Sequence, residues 1–337
     1  MIYENEERLL RRLDKPELGC GLGLGMTGGG NTTPALDLNF LSGTLDSRIT
    51  FARASAATRV NSSGLIESVS PNVARFDHDP VTLAPTGLLI EEARTNLCFP
   101  SAMTGTGGGW NTSAGTLTAN AGAAPDGTGA ATLLTCGANS SNKAVYKQNA
   151  TATTVQANSV FAKAGTTHWL GLGFDSTAQA DGAFFDLQNG TVGTVAAGCT
   201  AAITPYANGW YRCTAVRSYI SGNHYFNIEP HTADNQGSNW TSAGTETIFI
   251  WGGQSEAGAF ATSLIPTTGA QITRAGDDVS MTGASFLNWF NAAEGTLVIS
   301  AGLPAASNAD VISIYDSNVA TQNIIEIYKK TSSTLSG

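Results

Sequence analysis

From residue 36 onward the chain is written in short runs of alternating apolar and polar side chains, closed by Gly, Asn, Asp or Pro. Leu36-Asp37-Leu38-Asn39-Phe40 is one such run, and Gly295-Thr296-Leu297-Val298-Ile299-Ser300 is another. A period of two lines up alternate side chains on one face, so these runs read as half-buried strands. Further strands are expected at 49–51, 58–60, 65–66, 132–134, 144–146, 160–163, 169–174, 183–187, 210–216, 224–228, 247–251, 311–315 and 325–328. Asn61-Ser62-Ser63-Gly64 reads as the turn between two of them. After Pro16 a helical period recurs only weakly, near Ser285–Asn291. Many short strands with regular turn signals predict a mainly β chain, a sandwich or jelly roll.

Composition agrees. Only 13% of residues are charged, and Gly alone supplies 39 positions. The net charge of −9 comes without a basic stripe, which argues against nucleic acid as a partner. No apolar run is long enough for a transmembrane helix, so no membrane insertion is expected. Five cysteines without a C-x-x-C pair, and four scattered histidines, exclude a zinc scaffold. Cys199 and Cys213 could face each other across a hairpin, but two buried thiols are the better expectation.

Residues 1–17 stand apart because nine charges crowd into them. Acids come first and bases later, and Glu4–Arg8 and Glu7–Arg11 are i,i+4 pairs, so a short helix is expected. Pro16 stops it. Ile2, Leu9 and Leu13 form an apolar stripe with Leu10 beside it. So short a helix is marginal alone. Its stripe is therefore a candidate docking face for another protein, a frayed solvated end being the alternative. Gly19–Met26 and Gly28-Gly29-Gly30 lack the strand and helix that a dinucleotide loop requires, and read as a flexible or extended connector.

Several segments recur together in an ordered series. They are Phe51–Thr58, Asn72–Asp77, Gly87-Leu88-Leu89-Ile90-Glu91-Glu92-Ala93-Arg94-Thr95-Asn96-Leu97, Asn208–Cys213, Ile250–Ser263, Ile265-Pro266-Thr267-Thr268 and Thr273-Arg274-Ala275. The series, spanning about 36–282, resembles tailed-bacteriophage virion proteins of the head-spike, head-fibre or tail-fibre kind. The resemblance implies a carbohydrate-binding-module-like jelly roll. Segment 285–337, with Glu294-Gly295-Thr296-Leu297, resembles the opening strands of the concanavalin-A-like sandwich that often follows. It also implies a nonenzymatic homotrimer in the virion, assembled in the bacterial host cytoplasm. The expected layout is a helix and Gly-rich docking arm at 1–35, a β collar at 36–100, the jelly roll at 101–282 and an incomplete second sandwich at 283–337. Other virion proteins (portal, tail adaptor or capsid) are the expected partners of residues 1–35, and a host surface glycan is a further candidate. The rival readings are an adsorption protein that binds or cleaves host polysaccharide, and a purely structural connector or decoration protein.

Candidate sites follow from residue chemistry. Sugar rings need aromatic faces beside hydrogen-bonding side chains. Trp110 follows Gly107-Gly108-Gly109, and Trp240 follows Asp234–Asn239, so both are placed in polar loops as candidate glycan platforms. Loop packing or a subunit interface is the alternative for each. Trp169, Trp210 and Trp251 lie inside strand patterns and are expected in the core. Glu91 and Glu92 are neighbours on an extended chain and point to opposite faces, so they are not an acid/base couple. Arg94 is expected to pair with one of them and pin a long connection. Arg53, Arg75 and Arg274 are isolated bases in charge-poor surroundings and read as locks. Asp175, Asp181, Asp186, Asp234 and Glu246 read as turn residues or solvated faces. No catalytic residue, metal or cofactor is expected; Asp234-Asn235-Gln236 lacks EF-hand spacing.

Overall fold

The computed structural model describes residues 21–25, 34–106, 108–138, 145–149, 155–174, 181–218, 224–237, 240–291, 293–302, 309–315 and 324–329. The expected N-terminal helix, with Ile2, Leu9, Leu10 and Leu13, lies outside the described residues.

The chain is mainly β. Its first part carries β1 (Gly21–Gly25), β2 (Leu36–Asn39), β3 (Thr50–Ala52), β4 (Ala57–Val60), β5 (Ile66–Val69), β6 (Phe76–His78), β7 (Pro85–Leu88) and β8 (Arg94–Asn96). A sandwich follows, built from β9 (Trp110–Thr112), β10 (Gly115–Gly122), β11 (Ala131–Cys136), β12 (Val145–Asn149), β13 (Val155–Ala164) and β14 (Trp169–Gly173). It is completed by β15 (Ala183–Asp186), β16 (Thr191–Val195), β17 (Cys199–Pro205), β18 (Tyr211–Ser218), β19 (His224–His231) and β20 (Thr247–Ala257). The last part holds β21 (Ile272–Arg274), β22 (Asp278–Ser280), β23 (Thr296–Ile299), β24 (Ala309–Tyr315) and β25 (Ile324–Lys329), with one helical turn at Ala284–Leu287.

The sandwich has two six-stranded antiparallel sheets. Their orders are β10-β11-β20-β13-β18-β17 and β16-β15-β14-β19-β12-β9. The chain passes back and forth between them, as in a jelly roll. Alternation decides what faces inward. Leu134, Val160, Ala162, Cys213, Ala215, Ile248 and Ile250 of the first sheet meet Trp110, Val145, Leu170, Leu172, Phe185, Phe226 and Ile228 of the second. Each large apolar side chain so buried contributes about 1.5–3 kcal/mol.

The outer face of the first sheet is also covered. Phe161, Trp251 and Ala131 point away from the sandwich interior and pack with Trp210, Ile66 and Leu264. Phe161 meets Tyr206 and Trp251 edge to face, at 5.0 and 5.5 Å between centroids. The cover comes from the β4–β5 hairpin, whose turn forms at the expected residues. The Asn61 carboxamide oxygen accepts from the Ser63 and Leu65 N–H groups, at 2.9 and 3.1 Å. Gly64 takes φ +75° there, a left-handed conformation that favours glycine.

Four expectations need correction. The supposed connector at Gly19–Met26 contains β1, the central strand of a small sheet ordered β2-β1-β23. Leu24 lies opposite both Leu36 and Leu297 in register. Residues from the expected docking arm and the expected second sandwich thus share one sheet. Trp169 is half-buried rather than core: Leu170 and Leu172 take the inward positions, so Trp169 falls on the outer face. Trp110 lies in a strand and is treated below. Cys199 and Cys213 are free thiols out of register, since Cys213 pairs with Ile203 and Cys199 with Arg217; Cys213 is buried as expected, but Cys199 is only half-buried.

Candidate functional site

The charges that the chain does possess converge where its first part meets the sandwich. Arg53, Arg75 and Arg274 are all at most 1% exposed. Arg53 donates through Nη1 to Asp277 Oδ1 at 3.1 Å and through Nη2 to the Ser70 carbonyl at 2.7 Å. Arg75 donates through Nη1 to Glu91 Oε2, Ser263 Oγ and the Thr58 carbonyl, all within 2.9 Å, and through Nη2 to Asp277. Arg274 donates to the Glu92 carbonyl at 2.7 Å and lies 3.5 Å from Glu91 Oε2. Five buried charges, three positive and two negative, thus tie residues 53–91 to residues 263–277. Burial alone pushes the Glu91 carboxyl up. Arg274, Arg75 and the two Ser263 donors outweigh it, so its pKa is held below the ordinary value.

The expected lock is therefore real, and Arg94 behaves as anticipated. Glu91 turns inward, while Glu92 is exposed and pairs with Arg94, whose Nε donates to Oε1 at 2.7 Å. The Arg94 guanidinium also covers the Phe260 ring at 4.9 Å. Gly258 makes room for it: a Cβ there would overlap that guanidinium, and φ is +136°. Sequence reasoning missed Asp277. Its only local signal is its place three residues after Arg274.

A second set of buried polar groups laces residues 91–101 onto 253–267. Asn96 makes four hydrogen bonds, donating to the Gly253 and Ile265 carbonyls and accepting from the Cys98 and Ser255 N–H groups. Gln254 accepts from Ile265 N and donates to the Thr262 carbonyl. Glu256 accepts from the Thr262 N–H and hydroxyl at 2.9 and 2.6 Å. The motif segments at 87–97 and 250–268 are two halves of one seam. Their polar residues satisfy backbone groups that water cannot reach.

Trp110, expected as a loop platform, is 1% exposed and faces the sandwich core. It opens β9 opposite Lys147, its Nε1 donates to the Pro100 carbonyl at 2.9 Å, and its ring lies 5.6 Å from Phe226. Gly108 and Gly109, both at positive φ, turn the chain into a strand rather than holding a platform in solvent. Trp240 is half-buried. Its ring lies 6.4 Å from the His231 ring, which Phe184 meets from another side at 5.0 Å. His231 and Glu229 are fully buried, 3.7 Å apart. By register, Trp169, His231, Glu229 and Phe184 belong to the outer face of the second sheet.

Of the remaining acids Asp186 and Glu246 hold turns, as expected, whereas Asp234 ties its loop to β16 and Asp181 accepts from the Phe174 N–H at 3.1 Å. Asp186 accepts from Gln188 N and Asn189 Nδ2, and Asp234 from Thr194 N and Oγ1. Glu246 accepts from Ser242 Oγ and the N–H groups of Ala243, Gly244 and Thr245. Asp175 lies outside the described residues. Among the described residues no group of His, Cys, Asp and Glu is placed to hold a metal ion. In comparison with known proteins, no family model and no curated protein matches the chain.

Proposed function

We propose that the chain is a structural subunit of a bacteriophage virion appendage, a tail or head fibre or spike, that takes part in attachment to the host surface. Residues 1–35 anchor it to other virion proteins, and the subunit is a homotrimer. The observation that carries this reading is the seam. The two segments on which the resemblance chiefly rests, 87–97 and 250–268, lie against each other; Glu91 and Asn96 bond across the seam, and Gln254 and Glu256 brace the second segment from within. Scarce charges consumed in internal locks suit a stiff connector that acts by its shape. Glu91 and Glu92 are both engaged in ion pairs.

The test is immunogold labelling of phage particles whose genome encodes this chain, with antibody raised against residues 101–282. Gold on an appendage supports the proposal. Particles that carry no label, from a lysate that contains the protein, refute it. A second reading, adsorption through a bound host polysaccharide, draws on half-buried Trp169 and Trp240 beside Phe184 and His231. Loss of cell binding on Trp240→Ala, with the fold intact, would favour it.

A further inference from the structure

A cleft of about 210 Å³ lies between the β4–β5 hairpin and the outer face of the first sheet. Thr58, Arg59, Val60, Ile66 and Asp77 line it on one side, and Phe161, Tyr206, Arg212 and Thr262 on the other. It is smaller than the roughly 300–1,000 Å³ of pockets for drug-sized ligands, so it admits a single ring.

Its polar groups are unevenly occupied. Arg59 is engaged by Glu67. Glu91, at the edge, is held by Arg75 and Arg274. Arg212 is different. Its guanidinium lies over Phe161 at 5.4 Å and makes one hydrogen bond, from Nη2 to Ser159 Oγ at 3.0 Å. Among the described residues its Nε has no hydrogen-bond partner, but that atom is sealed off from the cleft, which leaves Nη1 as the donor. Asp77 accepts from Val60 N at 2.6 Å and forms no ion pair among the described residues. Burial pushes the Tyr206 phenol up, so its hydroxyl stays protonated and can both donate and accept.

The cleft therefore offers one guanidinium donor, a carboxylate acceptor, an amphoteric hydroxyl and an aromatic wall. Arg59 and Glu91 are already neutralised by their own partners, and Arg212 and Asp77 contribute one charge of each sign, so the cleft favours a neutral ligand. A neutral ring with several hydroxyls and an apolar C–H face matches that set: hydroxyls pair with Arg212 and Asp77, and the C–H face lies on Tyr206. We propose that this cleft is a subsite for one neutral, pyranose-sized polyol, gripped between the first part of the chain and the sandwich. The chemistry is the same for a free sugar and for the end of a glycan. It does not depend on the virion reading, which immunogold labelling decides separately.

The test uses the full chain and saturation-transfer NMR with calorimetry against a panel of neutral hexoses and N-acetylhexosamines, with glucuronate as the charged control. The expected result is binding of at least one neutral sugar in preference to glucuronate, with a raised melting temperature because the ligand binds only the folded chain. Arg212→Gln should weaken binding about tenfold or more, as loss of a hydrogen bond to a charged group implies. Tyr206→Phe, which removes only the hydroxyl, should also weaken it, and decides the matter if Arg212→Gln does not fold. Trp240→Ala should leave binding unchanged. Absence of any sugar binding overturns the proposal, as does binding indifferent to both cleft variants or abolished by Trp240→Ala. An oligosaccharide bound as tightly as its terminal sugar identifies a glycan end as the source. Binding of the monosaccharide alone identifies a free sugar. Either result supports the subsite.

Discussion

Asp277→Asn tests the buried charge cluster most directly. Asp277 is fully buried and receives Arg53 on one oxygen and Arg75 with the Glu91 N–H on the other. The substitution keeps the shape and removes the charge. It leaves three buried guanidinium groups against Glu91 alone and turns an N–H donor either toward Arg53 or toward Arg75 and the Glu91 N–H. Breaking a buried ion pair by removing one partner costs about 3–5 kcal/mol. In a unit of 150–250 residues that corresponds to a loss of roughly 6–20 °C in melting temperature. Calorimetry on the full chain reads this, and limited proteolysis should show cleavage between residues 36 and 100 before any in the sandwich. A cycle with Arg53→Met should be non-additive by about 0.5–3 kcal/mol, as groups in one network are. Glu91 adds a pH signature. Its folded pKa lies below the ordinary 4.5, so its contribution is fully present above that value and is lost as pH falls through the folded pKa. Melting should be flat from neutral pH down to about 5 and fall below it, and Glu91→Gln should remove this part of the fall. A loss under about 1 kcal/mol for Asp277→Asn, the range of exposed ion pairs, would refute the idea that the cluster clamps the two parts together.

Other substitutions probe the remaining elements. Asn96→Ala strands four buried backbone groups and should cost at least about 3 kcal/mol in a denaturant titration, since each unpaired group costs about 1–3. Trp110→Ala should cost about 3–5 kcal/mol as a core truncation, whereas half-buried Trp240→Ala should cost much less, which the same titration compares. Glu246 is pulled down to about 2: burial pushes it up, and Ser242 Oγ with neighbouring N–H groups outweighs that. Its contribution is present above the ordinary 4.5 and disappears as pH falls toward 2. Glu246→Gln should lower the melting temperature at neutral pH and flatten its acid dependence.

What could be read from the sequence divides along physical lines. Period-two alternation gave away the long strands because each has one buried face: Ile248 and Ile250 inward, or Leu170 and Leu172. It failed at β9, where three residues are too few to show a period and a glycine run mimics a loop, so Trp110 was misplaced. It was overlooked at β1, where Gly-Leu-Gly-Leu-Gly does alternate but glycine dilution resembles a linker. The locking role of Arg53, Arg75 and Arg274 was legible because an isolated base in a charge-poor chain is seldom left without a partner. Its chief anion was not legible, because Asp277 lies 224 positions from Arg53. Only the return of the chain through β21 and β22, pairing with β8 and β3, brings the two together. Sheet pairing at that separation costs loop-closure entropy before it returns any contact. The buried ion pairs and the Asn96 seam lie where that closure is made. The same closure leaves the Arg212 cleft between the two parts, so a ligand there would report directly on whether they stay joined.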